Sequence, residues 1–313
     1  MPLSTDDPLY AALAAEVRAF AGALPPPLPA LCAPFLDELL AGPFAPIAAL
    51  LPAWLCDLLP ISAATARRLG AAQLFGWWYA AARDALLDGQ GPPELTLGGG
   101  VALLRAVSIY GELGLPALPC WPRLARLEAR AAAAYARERA SQPGVGPITA
   151  AHLAPWGLEL IADRAASLHF AVYAQMDLAG LTPDDSRRVA VHTALRRLVT
   201  ARQLGDDAGD WLDDLRAGRL NAASAALARP LLESAGAEGT SVERLAAWLT
   251  ADEVFWERWW EVHAAFCEEG QAALAPFGPS RLDTLLAVEA ERGVAAARAG
   301  AAWRAEARAL FGA

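Results

Sequence analysis

Residues 203–219, QLGDDAGDWLDDLRAGR, place five aspartates within nine residues of a largely apolar, alanine-rich chain. Apolar residues recur at helical spacing on both sides of the run, so the pattern predicts that the run lies on a helix. On a helix, Asp206, Asp210 and Asp214 are four residues apart and share one face. Like charges at this spacing repel each other, and aspartate is a mediocre helix former. The run therefore needs either full exposure to solvent or cations against its acidic face.

Two interpretations of the acidic run are open. Mg²⁺ binds carboxylate oxygens and completes its shell with water and phosphate oxygens, which favours a metal site that also includes Asp207 and Asp213. A charge-rich helix is equally typical of a solvated surface, on which Arg202, Arg216 and Arg219 would pair with the acids. A second acidic pair upstream favours the metal site.

That second pair is Asp84 and Asp88, four residues apart in LFGWWYAAARDALLDGQG. Apolar spacing predicts a helix from about residue 63 to residue 88, and GQGPP ends it directly after the pair. Taken alone, such a pair is more often two surface aspartates. Two acidic clusters on apolar helices, more than a hundred residues apart, instead indicate facing walls of one metal site.

Helical spacing recurs along most of the chain, without an alternating strand pattern or an internal repeat, so we predict an all-α bundle. The aspartate run is placed on a helix that begins near Ser186. The other predicted helices lie near residues 1–23, 63–88, 98–115, 121–141, 221–233, 241–275 and 280–310, and residues 149–180 are expected to form one or two more.

Composition narrows the class of protein further. With 313 residues and 55% hydrophobic content, the chain can bury a sizeable core. A net charge of −9 argues against a nucleic-acid partner, which would require a basic face. The four cysteines have no metal-ligand spacing and the N-terminus has no secretory character, so we expect a cytoplasmic protein. Residues 39–56 are uncharged, but prolines interrupt them, so we expect short buried helices and no transmembrane span.

The acidic run resembles two family signatures. Residues 203–210 match the QxxDDxxD of trans-prenyl diphosphate synthases, their second aspartate-rich motif. In another register, Asp210 and Asp214 match the DxxxD of squalene and phytoene synthases, and Gly218 and Arg219 match the GR that follows it.

The first acidic pair fits the same families. Asp84 and Asp88, preceded by Tyr79 and Arg83, resemble the first DxxxD motif of these synthases, and the order of the two motifs also fits. The chain is therefore similar to the isoprenoid synthase superfamily, which includes class I terpene cyclases.

This resemblance implies a single all-α domain over residues 1–313, a bundle of the isoprenoid synthase type with a central apolar cavity. It implies a prenyl diphosphate substrate, more than one Mg²⁺ ion, and a monomer or homodimer. The expected catalytic carboxylates are Asp84, Asp88, Asp206, Asp210 and Asp214, and the same five with Asp207 and Asp213 are the expected metal ligands. The expected diphosphate-binding residues are Arg83, Arg202 and Arg219. The expected cavity-lining residues are Trp77, Phe170 and Tyr173.

The chain also departs from the chain-elongating members of this superfamily. No paired arginines follow Asp88, and the chain has no lysine, although those enzymes hold their second diphosphate with lysines. Arg164 stands where one such lysine would be. These departures favour a Mg²⁺-dependent class I terpene cyclase, which ionises one prenyl diphosphate and rearranges the carbocation in an apolar pocket. A prenyl-coupling enzyme of the squalene or phytoene synthase type and a catalytically inactive helical scaffold are the alternatives.

Overall fold

A computed structural model describes residues 7–144, 146–153, 156–235 and 239–311. The fourteen α-helices within these ranges, α1 to α14 in chain order, are Pro8–Gly22, Leu28–Ala41, Ala45–Trp54, Ala63–Leu87, Leu95–Glu112, Trp121–Ala140, Ala150–Leu153, Leu158–Arg164, Phe170–Leu178, Ser186–Arg216, Ala222–Ala235, Val242–Ala251, Glu253–Leu274 and Arg281–Phe311. The described residues contain no strand, only one isolated antiparallel bridge between Ile148 and Thr240. The predicted all-α fold is confirmed, and residues 1–6 of the first predicted helix lie outside the described ranges.

The helices form two compact units. The first comprises Met1–Leu127 and Ser167–Asp185, and the second comprises Glu128–Ala166 and Ser186–Ala313. The first acidic pair belongs to the first unit and the aspartate run to the second. The single domain over residues 1–313 stays a prediction.

Helix α4 is the core element of the first unit. Ser62 caps its N-terminus by accepting a hydrogen bond from the backbone N–H of Thr65 at 3.1 Å. Trp78 is fully buried on its apolar side. Gly70 lets α3 approach closely, because a Cβ at this position would lie only 2.2 Å from the carbonyl oxygen of Ala49. The helix that carries the first acidic pair is therefore fixed by packing along its length.

Helix α10 carries the aspartate run and packs against α13 and α14 in the second unit. Trp259 of α13 donates from Nε1 to the carbonyl oxygen of Leu204 on α10 at 3.1 Å. The buried Trp256 donates in the same way to Leu249 at 2.8 Å. Because each indole N–H has a backbone acceptor, these large side chains fill the core without leaving a buried donor unpaired. One side of α10 is thereby held in the core.

The predicted helix at 241–275 is two helices, α12 and α13. Asp252 lies between them with φ −87° and ψ 84°, outside the helical region, and accepts a hydrogen bond from the backbone N–H of Phe255 at 3.0 Å. An aspartate in this conformation is an N-cap, so α13 begins after it. The apolar spacing alone predicts no break at this position.

Within the described ranges, no single helix is both long enough and apolar enough to cross a membrane. The pair Leu28–Ala41 and Ala45–Asp57 reaches them together, but the two helices are bent by 61° relative to each other.

Candidate metal and diphosphate site

The five aspartates of the run all lie on α10, as the sequence predicts. Their surroundings differ, however. Asp206, Asp210 and Asp214 share the face set by their four-residue spacing, whereas Asp207 points into the second unit and Asp213 into solvent. Each position therefore has its own chemistry.

Asp206 has a cationic partner on another helix. Arg292 of α14 donates from Nη2 to Oδ1 of Asp206 at 2.9 Å, and both side chains remain substantially exposed. Partial burial raises the pKa of Asp206, against the positive charges of Arg202 and Arg292, which lower it. An exposed pair of this kind contributes little stability, so Arg292 can leave Asp206 at small cost.

Asp210, one turn further along α10, is exposed. Within the described parts of the chain, its carboxylate has no hydrogen-bond or ion-pair partner. Desolvation raises the pKa of Asp210, and the negative charges of Asp214, Asp206 and Asp213 raise it further, while the positive charge of Arg219 lowers it. A bound cation would relieve this repulsion, so the acidic face most lacks a counterion at Asp210.

Asp214 is held by the residues that follow the helix. Gly218, with φ 72°, turns the chain at the end of α10. Arg219 then donates to Oδ1 of Asp214 from Nε at 3.1 Å and from Nη2 at 2.8 Å. Asn221 donates from Nδ2 to Oδ2 at 3.1 Å. The Gly-Arg pair after the run therefore has a local role, which is to return a guanidinium to the acidic face.

Asp207 is buried and joins α10 to α11. Its Oδ1 accepts a hydrogen bond from Gln203 Nε2 at 2.8 Å, and its Oδ2 accepts one from the backbone N–H of Ala222 at 3.0 Å. Asn221 is the residue before α11, and its Oδ1 accepts from the backbone N–H of Ser224 at 3.0 Å. Burial raises the pKa of Asp207 to about 6, although the hydrogen bond from Gln203 lowers it. These contacts give Asp207 a structural role, and its predicted role as a metal ligand stays a prediction.

Asp213 lies at the opposite extreme of exposure. Arg216 donates to its Oδ1 at 3.4 Å, while the side chains of Asp213 and Arg216 are 87% and 67% exposed. So open a pair adds almost nothing to stability.

A buried charge cluster beside Asp206 is absent from the sequence-based prediction. Glu289 of α14 is only 4% exposed. Arg202 Nη1 lies 3.5 Å from one of its carboxylate oxygens, and His263 Nε2 lies 3.6 Å from the other. Burial lowers the pKa of Arg202. Arg202, a predicted diphosphate-binding residue, is thus placed inside the second unit against Glu289.

The first acidic pair lies at the C-terminal end of α4. Asp88 is the C-cap residue, and its backbone N–H donates to the carbonyl oxygen of Asp84 at 2.9 Å. Carboxylates at this end face the negative pole of the helix dipole, which a bound cation would offset. Arg83 lies over the ring of Tyr79, with Cζ 5.1 Å from its centroid. That this pair and the run of the second unit form one site stays a prediction.

The three predicted cavity-lining aromatics lie in the first unit and have close neighbours there. Trp77 is 4.4 Å from Phe44 between ring centroids. Phe170 is buried and packs edge-to-face against Tyr110 at 4.8 Å. An arginine guanidinium covers the ring of Tyr173 at 5.0 Å. All three take part in packing, and their place in a substrate cavity stays a prediction.

The donor set on α10 can be compared with what different metals require. In the described ranges, no three or more His, Cys, Asp or Glu side chains group closely enough to hold a metal ion. A structural zinc or calcium cage needs such a group. Mg²⁺ is usually held by one or two carboxylates, with water and substrate phosphates as its other ligands. The carboxylates of α10 therefore suit Mg²⁺ better than a zinc or calcium cage.

Comparison with solved structures identifies the fold. The chain is similar to a polyprenyl synthase from Roseobacter denitrificans and to a decaprenyl diphosphate synthase from Rhodobacter capsulatus. In both cases the TM-score is 0.67 and the identity 18%, over 93% of this chain and 95% of the other. No protein-family model and no curated protein sequence matches the chain. At this level of identity the likeness confirms the predicted resemblance in its fold.

Proposed function

We propose that the chain is a Mg²⁺-dependent prenyltransferase, which takes the prenyl group of a prenyl diphosphate, couples it to a second isoprenoid and releases diphosphate. The observation that carries this proposal is Asp210, an exposed carboxylate without a counterion between Asp206 and Asp214 on one helix face. A fold shared with a decaprenyl diphosphate synthase supports coupling ahead of cyclisation.

In this proposal, Asp206, Asp210 and Asp214 of α10 hold Mg²⁺ together with Asp84 and Asp88 of α4. A metal held there would supply positive charge against the negative charge that develops on the departing diphosphate. The carboxylates would position the diphosphate only through such a cation, which would also offset their repulsion of it.

The arginines of the acidic face have a second part in the reaction. Arg292 and Arg219 pair with Asp206 and Asp214 in the described structure. If these carboxylates held a metal, the guanidinium groups would be free to donate to phosphate oxygens, to which arginine binds well. Arg292 and Arg219 would then replace the missing lysines in part, and without metal they neutralise Asp206 and Asp214.

Class I terpene cyclisation is the second candidate, and one contact favours it. Arg164, which stands where a lysine of the elongating enzymes would be, has its Nε 3.1 Å from Oε2 of Glu138, and both side chains are largely buried. A guanidinium engaged in this way is a poor anchor for a second diphosphate. With one diphosphate site, the carbocation would be captured within its own chain.

The test is diphosphate release with Mg²⁺ from geranyl, farnesyl and geranylgeranyl diphosphates, offered singly and in pairs, with mass analysis of the extracted products. A longer or doubled chain supports coupling, and a cyclic product from one substrate supports the cyclase. Asp210→Asn should abolish release without loss of fold, whereas Glu261→Gln, an exposed carboxylate on α13, should remain active. No release from any substrate by the folded wild-type protein would leave the inactive scaffold as the function.

A further inference from the structure

A cavity of about 620 Å³ lies between α10, α13 and α14 in the second unit. On α10 the cavity is lined by Gly205, Gly209 and Leu212, each of which directly precedes an aspartate in the sequence. Neighbouring residues on a helix point roughly 100° apart, so Asp210 and Asp214 point away from this cavity, whereas Asp213 lies in its lining. A smaller pocket beside Asp206 and Asp210 shares the lining residues Gly205 and Gly209. Its volume falls within the range of roughly 300–1,000 Å³ that small-molecule sites occupy.

Four indoles dominate the walls of this cavity: Trp211, Trp256, Trp260 and Trp303. The ring of Trp211 lies 6.0 Å from that of Trp256 and 6.2 Å from that of Trp303. Trp256 is anchored by its hydrogen bond to Leu249, whereas Trp303 is 44% exposed. The result is an ordered aromatic wall that ends in an open indole, a surface suited to an apolar chain.

Small residues keep the cavity empty. Gly205 and Gly209 of α10 face Ala296, Ala299 and Gly300 of α14 across it. A Cβ at Gly209 would have nothing within 4 Å, so a larger side chain there would extend into open space. A Cβ at Gly205 would instead lie 3.7 Å from Glu289, on the side of the buried charges. The cavity thus exists because several neighbouring positions lack bulky side chains, and a single substitution can fill it.

The charge at the aromatic end is positive. Arg304 and Arg308 share one carboxylate, that of Glu253, at 2.9 and 2.6 Å. Arg304 lines the cavity and is 4% exposed, and its Nε has no hydrogen-bond partner within the described ranges. Arg216 lies at the rim, paired only loosely with Asp213. Among the residues that line the cavity, two guanidinium groups, of Arg304 and Arg216, stand against one carboxylate, that of Asp213.

We propose that this cavity binds an amphiphile with an apolar chain along the tryptophans and an anionic head at Arg304 and Arg216. Both isoprenoid phosphates and fatty acids have this chemistry. Asp206, Asp210 and Asp214 do not line this cavity, although it adjoins their face of α10 at Gly205 and Gly209. Its occupation requires no metal.

The experiment is calorimetric titration of the full chain in EDTA with farnesyl diphosphate, dodecanoate, farnesol and inorganic diphosphate. We expect one of the two anionic amphiphiles to bind at least about tenfold more tightly than farnesol or diphosphate, because only it satisfies both ends of the site. The tighter of the two identifies the source of the ligand. Diphosphate that binds as tightly as either amphiphile, or no binding by any probe, would overturn the proposal.

Matched variants locate the binding. Ala299→Leu should weaken the amphiphile by about tenfold or more, because it fills the cavity, and Ala295→Leu, exposed on the same helix outside the cavity, should not. Arg216→Gln, at an exposed position, should weaken the anionic amphiphile and leave farnesol unchanged. Equal binding by Ala299→Leu and Ala295→Leu would contradict the proposal.

A further variant separates this site from the proposed reaction. Asp210→Asn should retain amphiphile binding in EDTA while it loses Mg²⁺-dependent diphosphate release. If the proposed function is wrong, the wild-type protein will release no diphosphate but will still bind the amphiphile in EDTA. If the present inference is wrong, the protein will release diphosphate with Mg²⁺ but will not bind the amphiphile in EDTA.

Discussion

Oδ2 of Asp207 accepts a hydrogen bond of 3.0 Å from the backbone N–H of Ala222, the first residue of α11. A carboxylate there meets the positive end of the helix dipole and one of its unpaired N–H groups. Asp206, the preceding residue, instead meets Arg292 at the surface. Two adjacent aspartates of one motif thus have different surroundings, one in a buried hydrogen-bond network and one in a surface ion pair.

Asp207→Ala should lower the free energy of unfolding by about 1–3 kcal/mol, because it leaves buried donors on Gln203 and Ala222 without an acceptor. Asp213→Ala, on the same helix but 87% exposed, should change it by less than about 0.5 kcal/mol. Urea denaturation of both variants measures the difference. Equal losses in the two variants would show that the contacts of Asp207 do not support the fold.

Asp207 should also make stability depend on pH. Its pKa is raised from 3.8 to about 6, so the folded state holds this proton more tightly than the unfolded state does. The resulting stabilisation is complete below about pH 3.8 and is lost as pH rises through 6, in total about 3 kcal/mol.

Asp207→Asn cannot titrate and should lack this dependence. Denaturation in EDTA from pH 4.5 to 7.5 should therefore show the wild type losing stability relative to the variant as pH rises. Parallel curves would mean that the carboxylate ionises as it does in the unfolded chain.

The helices and the acidic positions could be predicted because both depend on spacing along the chain. Apolar periodicity places α4 and α10 correctly, and the acidic run lies on α10. Periodicity alone continued one helix through Asp252, where a side chain that accepts from the next turn begins another. Capping is a local competition for backbone donors, which a count of apolar residues does not register.

The neighbours of the acidic face could not be predicted, because they come from a distant helix. Glu289 and Arg292 of α14 meet α10 through packing of the two helices. His263 can lie against Gly293 because glycine has no Cβ, which would otherwise be 2.4 Å from the imidazole ring. The i, i+3 spacing of Glu289 and Arg292 was the available signal, but it is equally common on exposed helices.

Arg292→Gln should increase the affinity of the protein for Mg²⁺ in the absence of substrate. The guanidinium competes with a cation for Asp206. Its removal should strengthen the free energy of Mg²⁺ binding by about 1 kcal/mol, which is roughly a fivefold increase in affinity. Calorimetric titration with MgCl₂ measures the change, and Arg298→Gln, an exposed position on the same helix, is the control. An unchanged or weaker affinity would mean that Asp206 does not face the metal. With a prenyl diphosphate present, the same variant should bind substrate more weakly, since it has lost a phosphate donor.

Two glycines of the first unit offer the sharpest test of its packing. A Cβ at Gly70 of α4 would lie 2.2 Å from the carbonyl oxygen of Ala49, a backbone atom that cannot rotate away. Gly70→Ala should therefore force α3 and α4 apart and cost about 1–3 kcal/mol of unfolding free energy. Gly100 of α5 has nothing within 4 Å of the same position and ordinary helical geometry. Gly100→Ala should instead stabilise the protein by about 0.5–1 kcal/mol, because alanine is the better helix former. Opposite signs in thermal and urea denaturation are expected, and a loss of stability in both variants would show that α5 is not the unobstructed helix described here.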